Sequence, residues 1–279
     1  MIPIGIALLS FTKPEHKSAK HTSLTKKWAT DTIMKVPESV LYNPLDKFIY
    51  VANINGHADV KDGNGFISRL TLDGKIEKLK WVEGLDAPKG MGIYNWKLYV
   101  TDITKVVIID IATGQIEKTI DVKGAVFLND ISIDKAGNVY ITDSSDKKIY
   151  TLKDGVVEVW IENSVLQKPN GVLAMEKGLC VIDMGTGIFY EIAYKDKTFT
   201  KIAEGVPVGD GVMTAGKGEY IISCWPGEVY YIKGSAVEKI LDTKEQKLSA
   251  ADAWYIESEK LLIVPTFYGN SVVAYTVTK

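Results

Sequence analysis

Two cysteines and three histidines are all that these 279 residues contain, and where they stand excludes several chemistries. Cys180 and Cys224 lie singly in apolar stretches, with no C-x-x-C pair. A disulfide framework and a zinc cage are therefore not organising features, and buried thiols are the simple reading. His16, His21 and His57 fall away from the repeated segments described below, and neither a G-x-S-x-G elbow nor a glycine-rich phosphate loop is present. That argues against a Ser-His-Asp hydrolase and against nucleotide phosphate binding. An excess of one charge is also lacking. The chain has 33 basic and 35 acidic residues, a net charge of −2, and lysines interleaved with acids. No basic stripe exists for a nucleic-acid backbone. Ile2 to Phe11 is apolar apart from Ser10 but too short to span a bilayer, and no later segment is long enough. Long amphipathic helical periodicity is missing as well.

What the chain has instead is a repeat of short β-branched and aromatic runs bounded by Gly, Asp and Asn. The clearest copies are Phe48–Asn53, Lys97–Asp102, Asn138–Asp143, Leu179–Asp183, Glu219–Cys224 and Lys260–Pro265. Each reads as the second strand of a unit, followed by a third strand, a turn such as Asp154-Gly155, and a fourth strand. Six units of about 40 residues predict an all-β fold, a six-bladed β-propeller of four-stranded antiparallel blades. The sixth unit, from about Ala250, has only three strands before Lys279. An N-terminal strand around Lys26 to Thr30 is expected to supply the fourth and close the ring, removing the open sheet edges. The propeller domain then spans 26–279, preceded by a tail or signal-like segment, 1–25. The apolar stretch near the N-terminus resembles the core of a secretory signal but has no basic residue before it. A periplasmic or secreted location is the expectation, with a hydrophobic arm on a cytoplasmic protein as the alternative.

The unit starts align as Glu38, Gly90, Asn129, Asn170, Asp210 and Asp252. Asn129, Asn170 and Asp210 are spaced by 41 and 40 residues (170 − 129 and 210 − 170). In a propeller, equivalent positions converge on the central channel. Glu38, Asn129, Asn170 and Asp210 would bring two carboxylates and two amides together. Such all-oxygen donors suit Ca²⁺, with Mg²⁺ or Mn²⁺ possible, and leave positions open for water and substrate. Taken singly, Asn170-Gly171 and Asp210-Gly211 are also common turn dipeptides. Gly90 leaves the second unit without a ligand, beside Lys89. The first unit is the longest, because Asn53 to Gly65 carries extra residues that can overhang the channel mouth.

The segments Pro37-Glu38-Ser39-Val40, Phe127-Leu128-Asn129-Asp130, Pro169-Asn170-Gly171-Val172 and Gly209-Asp210-Gly211-Val212-Met213 resemble the gluconolactonase / senescence-marker-protein (regucalcin) family. The resemblance runs from about Lys35 to the C-terminus. It implies a six-bladed propeller with one divalent metal, often calcium, held at Glu38, Asn129, Asn170 and Asp210. It further implies hydrolysis of a lactone or related ester, with the metal polarising the carbonyl and Asp210 as general base. The family's sugar lactonases carry an Arg two residues before the first ligand Asn. Phe127 stands there in this chain, which points away from a polyhydroxy lactone and towards a less polar substrate.

Further candidates for contact with a small-molecule substrate are Lys89, Phe127, Asp183, Trp225 and Asp252. Asp102, Asp143 and Asp183 have an alternative role as strand terminators. Trp225 and Phe267 read either as an apolar wall or as packing residues. His57 is either a solvated loop residue or part of a lid. Asp59, Asp62 and Asn64 faintly resemble a calcium loop but lack its later bidentate Glu. The competing functional reading is a non-catalytic, NHL-like propeller that binds a small molecule or a protein, with the metal structural.

Overall fold

A computed structural model describes residues 21–279. The signal-like stretch near the N-terminus lies outside the described residues. Within them, the strands form six four-stranded sheets, each antiparallel. Blade 1 consists of Pro37–Asn43, Phe48–Asn53, Gly65–Thr71 and Ile76–Leu85. Blades 2, 3, 4 and 5 begin with the strands Pro88–Tyr94, Leu128–Ile133, Pro169–Ala174 and Gly209–Gly216. Each is followed in order by its second, third and fourth strands. Blade 6 takes Trp254–Ile256, Leu261–Pro265 and Val272–Thr278 from the end of the chain and Ser23–Ala29 from its start. The closing strand thus begins earlier than Lys26, and Ser23 pairs with Thr278.

Burial grades outward along every blade. The first strand of blade 1 is buried at six of its seven positions, whereas Ile116–Asp121, the fourth strand of blade 2, is exposed at all but one. Innermost strands are covered on both faces and so read as apolar runs; outer strands alternate or turn polar. The core is divided between neighbouring blades. Tyr50 and Ile67 of blade 1 pack on Leu98 and Val100 of blade 2. Tyr140 and Ile149 of blade 3 pack on Leu179 and Val181 of blade 4. Each fully buried large side chain of this kind contributes roughly 1.5–3 kcal/mol, so the ring is held by many moderate interfaces.

At the channel the blades approach too closely for side chains. A Cβ added to Gly171 would lie 1.9 Å from the Asp210 carbonyl oxygen, and one on Gly211 would lie 2.1 Å from Asp252 Oδ1. Both glycines sit inside first strands, not in turns. Close backbone approach, rather than turn chemistry, requires glycine here.

A repeated carboxylate sets the entry to the first strands. Asp102, Asp143 and Asp183 end the second strands of blades 2, 3 and 4 and are fully buried. Asp102 accepts from the backbone N–H groups of Asp86 and Ala87, at 2.9 and 2.7 Å. Asp143 accepts from Val126 and Phe127 before the first strand, and from Ser145 and Asp146 after its own. Asp183 does the same with Gln167, Lys168, Gly185 and Thr186. Asn53 plays the part in blade 1, with its Oδ1 accepting from Lys35 N at 3.1 Å. These side chains fasten the loop that delivers the channel residue of the same blade.

Asp143→Ala leaves buried N–H donors without an acceptor and is expected to lower the unfolding free energy by roughly 3 kcal/mol. Asp143→Asn, which keeps one acceptor oxygen, should recover part of it. Urea titration of both variants checks this; an alanine variant as stable as the parent would show that the clamp is idle.

Candidate functional site

The first strands of blades 1 to 5 each carry a bulge where they meet the channel. In blade 3, Leu128 pairs with Asp143 and pairing resumes at Ile131 with Ile141. In blade 4, Pro169 pairs with Asp183 and then Val172 with Val181. In blade 5, Gly209 pairs with Cys224 and then Val212 with Ile222. The residues set free from the ladder are Asn129-Asp130, Asn170-Gly171 and Asp210-Gly211. A bulge re-aims a side chain that the pleat would otherwise direct into a sheet face. In blade 1 only Glu38 is displaced, between the Pro37–Asn53 and Ser39–Ala52 pairs.

Blade 2 corrects the alignment made from sequence. Pro88 pairs with Asp102 and pairing resumes at Met91 with Val100. Lys89 therefore occupies the channel position equivalent to Asn129, Asn170 and Asp210, and Gly90 follows it as Gly171 and Gly211 follow theirs. The second position is an ammonium, not a vacancy.

Glu38, Lys89, Asn129, Asn170 and Asp210 all line one cavity of about 440 Å³. Its walls include Ile54 and Ala58 from the long blade 1 loop, Phe127, Met184, Val208, Trp225, Phe267 and Tyr268, with Lys168 as a second cation. Trp225, Phe267 and Tyr268 meet edge to face, with centroids 4.8 to 6.2 Å apart. Asp183 and Asp252, expected to touch substrate, do not line this cavity. The Asp183 carboxylate is turned into the loop and spent on four backbone amides. Asp252 accepts from Ser39 Oγ at 2.7 Å and lines a deeper cavity of about 200 Å³ with Asp130 and the apolar continuation of the first strands. His57 is not among the lining residues. Lys168, Met184, Val208 and Tyr268 were missed, because they lie on connecting loops that the strand repeat does not align.

The four oxygen-bearing side chains are individually constrained. Asn129 Nδ2 donates to Ser144 Oγ at 3.1 Å, and Asn170 Nδ2 donates to Asp210 Oδ1 at 2.7 Å. With their nitrogens engaged, both amides keep Oδ1 for the cavity. Glu38 Oε2 is buried with no hydrogen-bond partner among the described residues. An orphaned carboxylate oxygen of this kind is costly unless something absent from the protein itself satisfies it. Among the described residues no three His, Cys, Asp or Glu side chains form a metal-holding group. A cation here would depend on the two amide oxygens as well as on Glu38 and Asp210, a donor set that fits a hard divalent ion.

Burial dominates the electrostatics. It lifts Asp210 up to about 8, with Asp252 adding and Asn170 and Lys168 opposing. Burial also lifts Asp252 to about 7, with Ser39 opposing. Glu38 is held well above the ordinary carboxylate range by burial, then by Asp210, Asp252 and Asp130, against Lys89. Asp130 is raised by burial and by Asp252, although Val172 and Ile131 amides bond it. Lys89 is buried, and burial lowers its pKa while Glu38, Asp102 and Asp59 draw it back up. Its Nζ donates to the carbonyls of Ala58 at 2.9 Å and Ala87 at 3.1 Å and lies 4.3 Å from the Phe127 ring centroid.

The fold and this site define a six-bladed propeller with a polar-floored, aromatic-walled cavity on its axis. Among solved structures, a gluconolactonase from Xanthomonas campestris is 16% identical, with 88% of each chain covered and a TM-score of 0.70. A catalytically inactive virginiamycin B lyase from Staphylococcus aureus, solved with quinupristin, is 12% identical over 92% of this chain and 100% of its own, at 0.65. A nidogen/laminin complex contains a chain 21% identical, covering 76% of this one and 82% of that, also at 0.65. At these identities the likeness establishes the fold; the three neighbours have three different functions. No protein-family model matches the chain, and no curated protein matches it.

The raised carboxylates predict a pH dependence. Each binds its proton more tightly in the folded chain than in the unfolded one, so folding takes up protons between the two pKa values. Stability in the presence of chelator is therefore expected to fall as pH rises from about 4 through about 8, and to level off above. Urea titrations across that window test it; stability that rises over the same range would contradict the buried-acid assignment.

Proposed function

We propose that this chain is a divalent-metal-dependent hydrolase of a lactone or related ester of low polarity. The observation that carries the reading is the convergence of Glu38, Asn129, Asn170 and Asp210 on one cavity, with Glu38 Oε2 buried and unsatisfied. A bound Ca²⁺, or Mg²⁺ or Mn²⁺, supplies Lewis acidity towards a carbonyl oxygen. Glu38 and Asp210 bring the negative charge that holds the ion, and Asn129 and Asn170 bring neutral oxygens fixed by their own hydrogen bonds. Asn170 Nδ2 orients Asp210 through Oδ1, leaving Oδ2 to take a proton from the attacking water. Phe127, Trp225, Phe267 and Tyr268 offer an apolar substrate body a place to lie and keep water from its far side. Phe127 and Phe267 offer no hydrogen bond to a sugar hydroxyl. The fold-level likeness to a gluconolactonase supports this chemistry without identifying the substrate.

The likeness to a nidogen/laminin complex keeps a second reading in view, a non-catalytic binding propeller with a structural ion. One assay separates them: a panel of lactones and aryl esters with Ca²⁺, Mn²⁺, Mg²⁺ and chelator. Hydrolysis is expected with a divalent ion and not with chelator. Asp210→Asn is expected to reduce kcat/KM by roughly 10²–10⁴-fold, the range for loss of a general base. A folded, ion-loaded chain that turns over nothing in the panel would favour the binding reading. Unchanged turnover by Asp210→Asn would remove Asp210 from the chemistry.

A further inference from the structure

We propose that the cavity selects a ligand with a carboxylate and a flat aromatic body, and that Lys89 is the residue that takes the carboxylate. As a statement about substrate it rests on the hydrolase reading, in which such an acid is one part of the ester or lactone. As a statement about binding it stands on Lys89 and the aromatic wall alone.

Lys89 holds one of the channel positions that in blades 1, 3, 4 and 5 carry oxygen donors. It is 1% exposed and lines the cavity. An ammonium has three N–H donors. Two are given to the carbonyls of Ala58 and Ala87, which fix the group without neutralising it. The Phe127 ring, its centroid 4.3 Å away, adds a cation–π contact that neutralises no charge and accepts no conventional hydrogen bond. One N–H is left, on a group held from the loop, the strand and the ring at once. The carboxylates whose charge reaches it are Glu38, Asp102 and Asp59. Asp102 is already occupied by Asp86 and Ala87 amides and by Lys105, 3.4 Å away. Glu38 belongs to the oxygen set on the floor.

A fixed, buried ammonium with a spare donor is a recognition group for an oxyanion, and a charge-assisted bond to it is about twice as strong as a neutral one. Lys168 lines the same cavity from an exposed position and adds a second positive charge at its edge. The apolar wall carries Phe127, Trp225, Phe267 and Tyr268, whose faces and edges suit an aromatic ring. The volume, about 440 Å³, lies within the usual range of about 300–1,000 Å³ for small-molecule sites.

The test is calorimetric titration of the full chain with phenylacetate and with its uncharged analogue phenylacetamide, in chelator and again with calcium. In both conditions the acid is expected to bind about tenfold or more tightly than the amide, as a charge-assisted contact requires. Lys89→Met should bring the two affinities together, and Lys89→Arg should keep the preference. Lys168→Met should retain most of it. Equal affinities in the parent chain, or no binding of either probe in chelator, overturn the proposal. So does an acid preference that survives in Lys89→Met, including one that then disappears in chelator, since the ion would be the anion's partner. If Lys89→Met does not fold, the parent's acid-to-amide ratio in chelator and the Lys89→Arg and Lys168→Met variants still decide. Absence of any esterase or lactonase turnover, with the acid preference intact, would defeat the hydrolase reading and leave this one standing.

Discussion

A buried carboxylate that captures the backbone of the loop ahead of it is the interaction on which the channel depends. Asp102, Asp143 and Asp183 have no exposed surface, and their oxygens are filled by main-chain N–H groups. The captured loops enter the strands that carry Lys89, Asn129 and Asn170. A charge surrounded by several donors is fixed in orientation, so the bulge that follows is fixed too. Blades 5 and 6 have Cys224 and Pro265 at the corresponding strand ends and lack this device. There the local geometry leans on other means. Gly211 N and Ala253 N both approach Ser223 Oγ, at 3.0 and 3.4 Å. Val208, directly before Gly209-Asp210, adopts a left-handed backbone with φ of 52°. A β-branched residue in that conformation costs of order 1–3 kcal/mol, and its place beside Asp210 puts that strain at the floor of the cavity.

Much of this was legible in the sequence, for a physical reason. Blade repetition forces the same apolar strand and the same terminal Asp to recur, so Lys97–Asp102, Asn138–Asp143 and Leu179–Asp183 announce themselves. Glu38, Asn129, Asn170 and Asp210 were found by the same register. The slip of one residue at Lys89 came from the bulge, which frees two residues and lets either be taken as the equivalent. The long first unit offered no spacing to arbitrate. Gly171 and Gly211 looked like turn formers because the sequence shows the dipeptide and not the neighbouring blade that crowds it. Asp183 had two readings, a substrate contact or a strand terminator, and its side chain serves the main chain. Asp130 was passed over because its neighbour Asn129 already occupied the unit start. Lys168 and Tyr268 belong to loops, whose positions a strand repeat does not constrain.

Acids dominate the axis. Glu38, Asp130, Asp210 and Asp252 are close enough to raise one another, yet they are not interchangeable. Asp130 bonds the Ile131 and Val172 amides, the latter in the next blade, and so joins blades 3 and 4. Asp252 bonds Ser39 and joins blade 6 to blade 1, where its main chain also pairs with Glu38. Of these four acids, only Glu38 keeps a buried oxygen with no partner among the described residues. The division is between acids that hold the ring together and acids that face its contents.

The seam in blade 6 has a consequence for how the molecule is assembled during synthesis. Ser23–Ala29 leaves the ribosome before every other strand of the propeller, and its partner Val272–Thr278 leaves after all of them. Blades 1 to 5 can each complete their own sheets as they emerge, but the strand that locks the ring must wait unpaired for nearly the whole chain. During that interval the facing sides of blades 5 and 1 lie open to other strands. The axial cavity, which takes Glu38 from blade 1 and Asp210 from blade 5, is therefore the last part of the molecule to take shape.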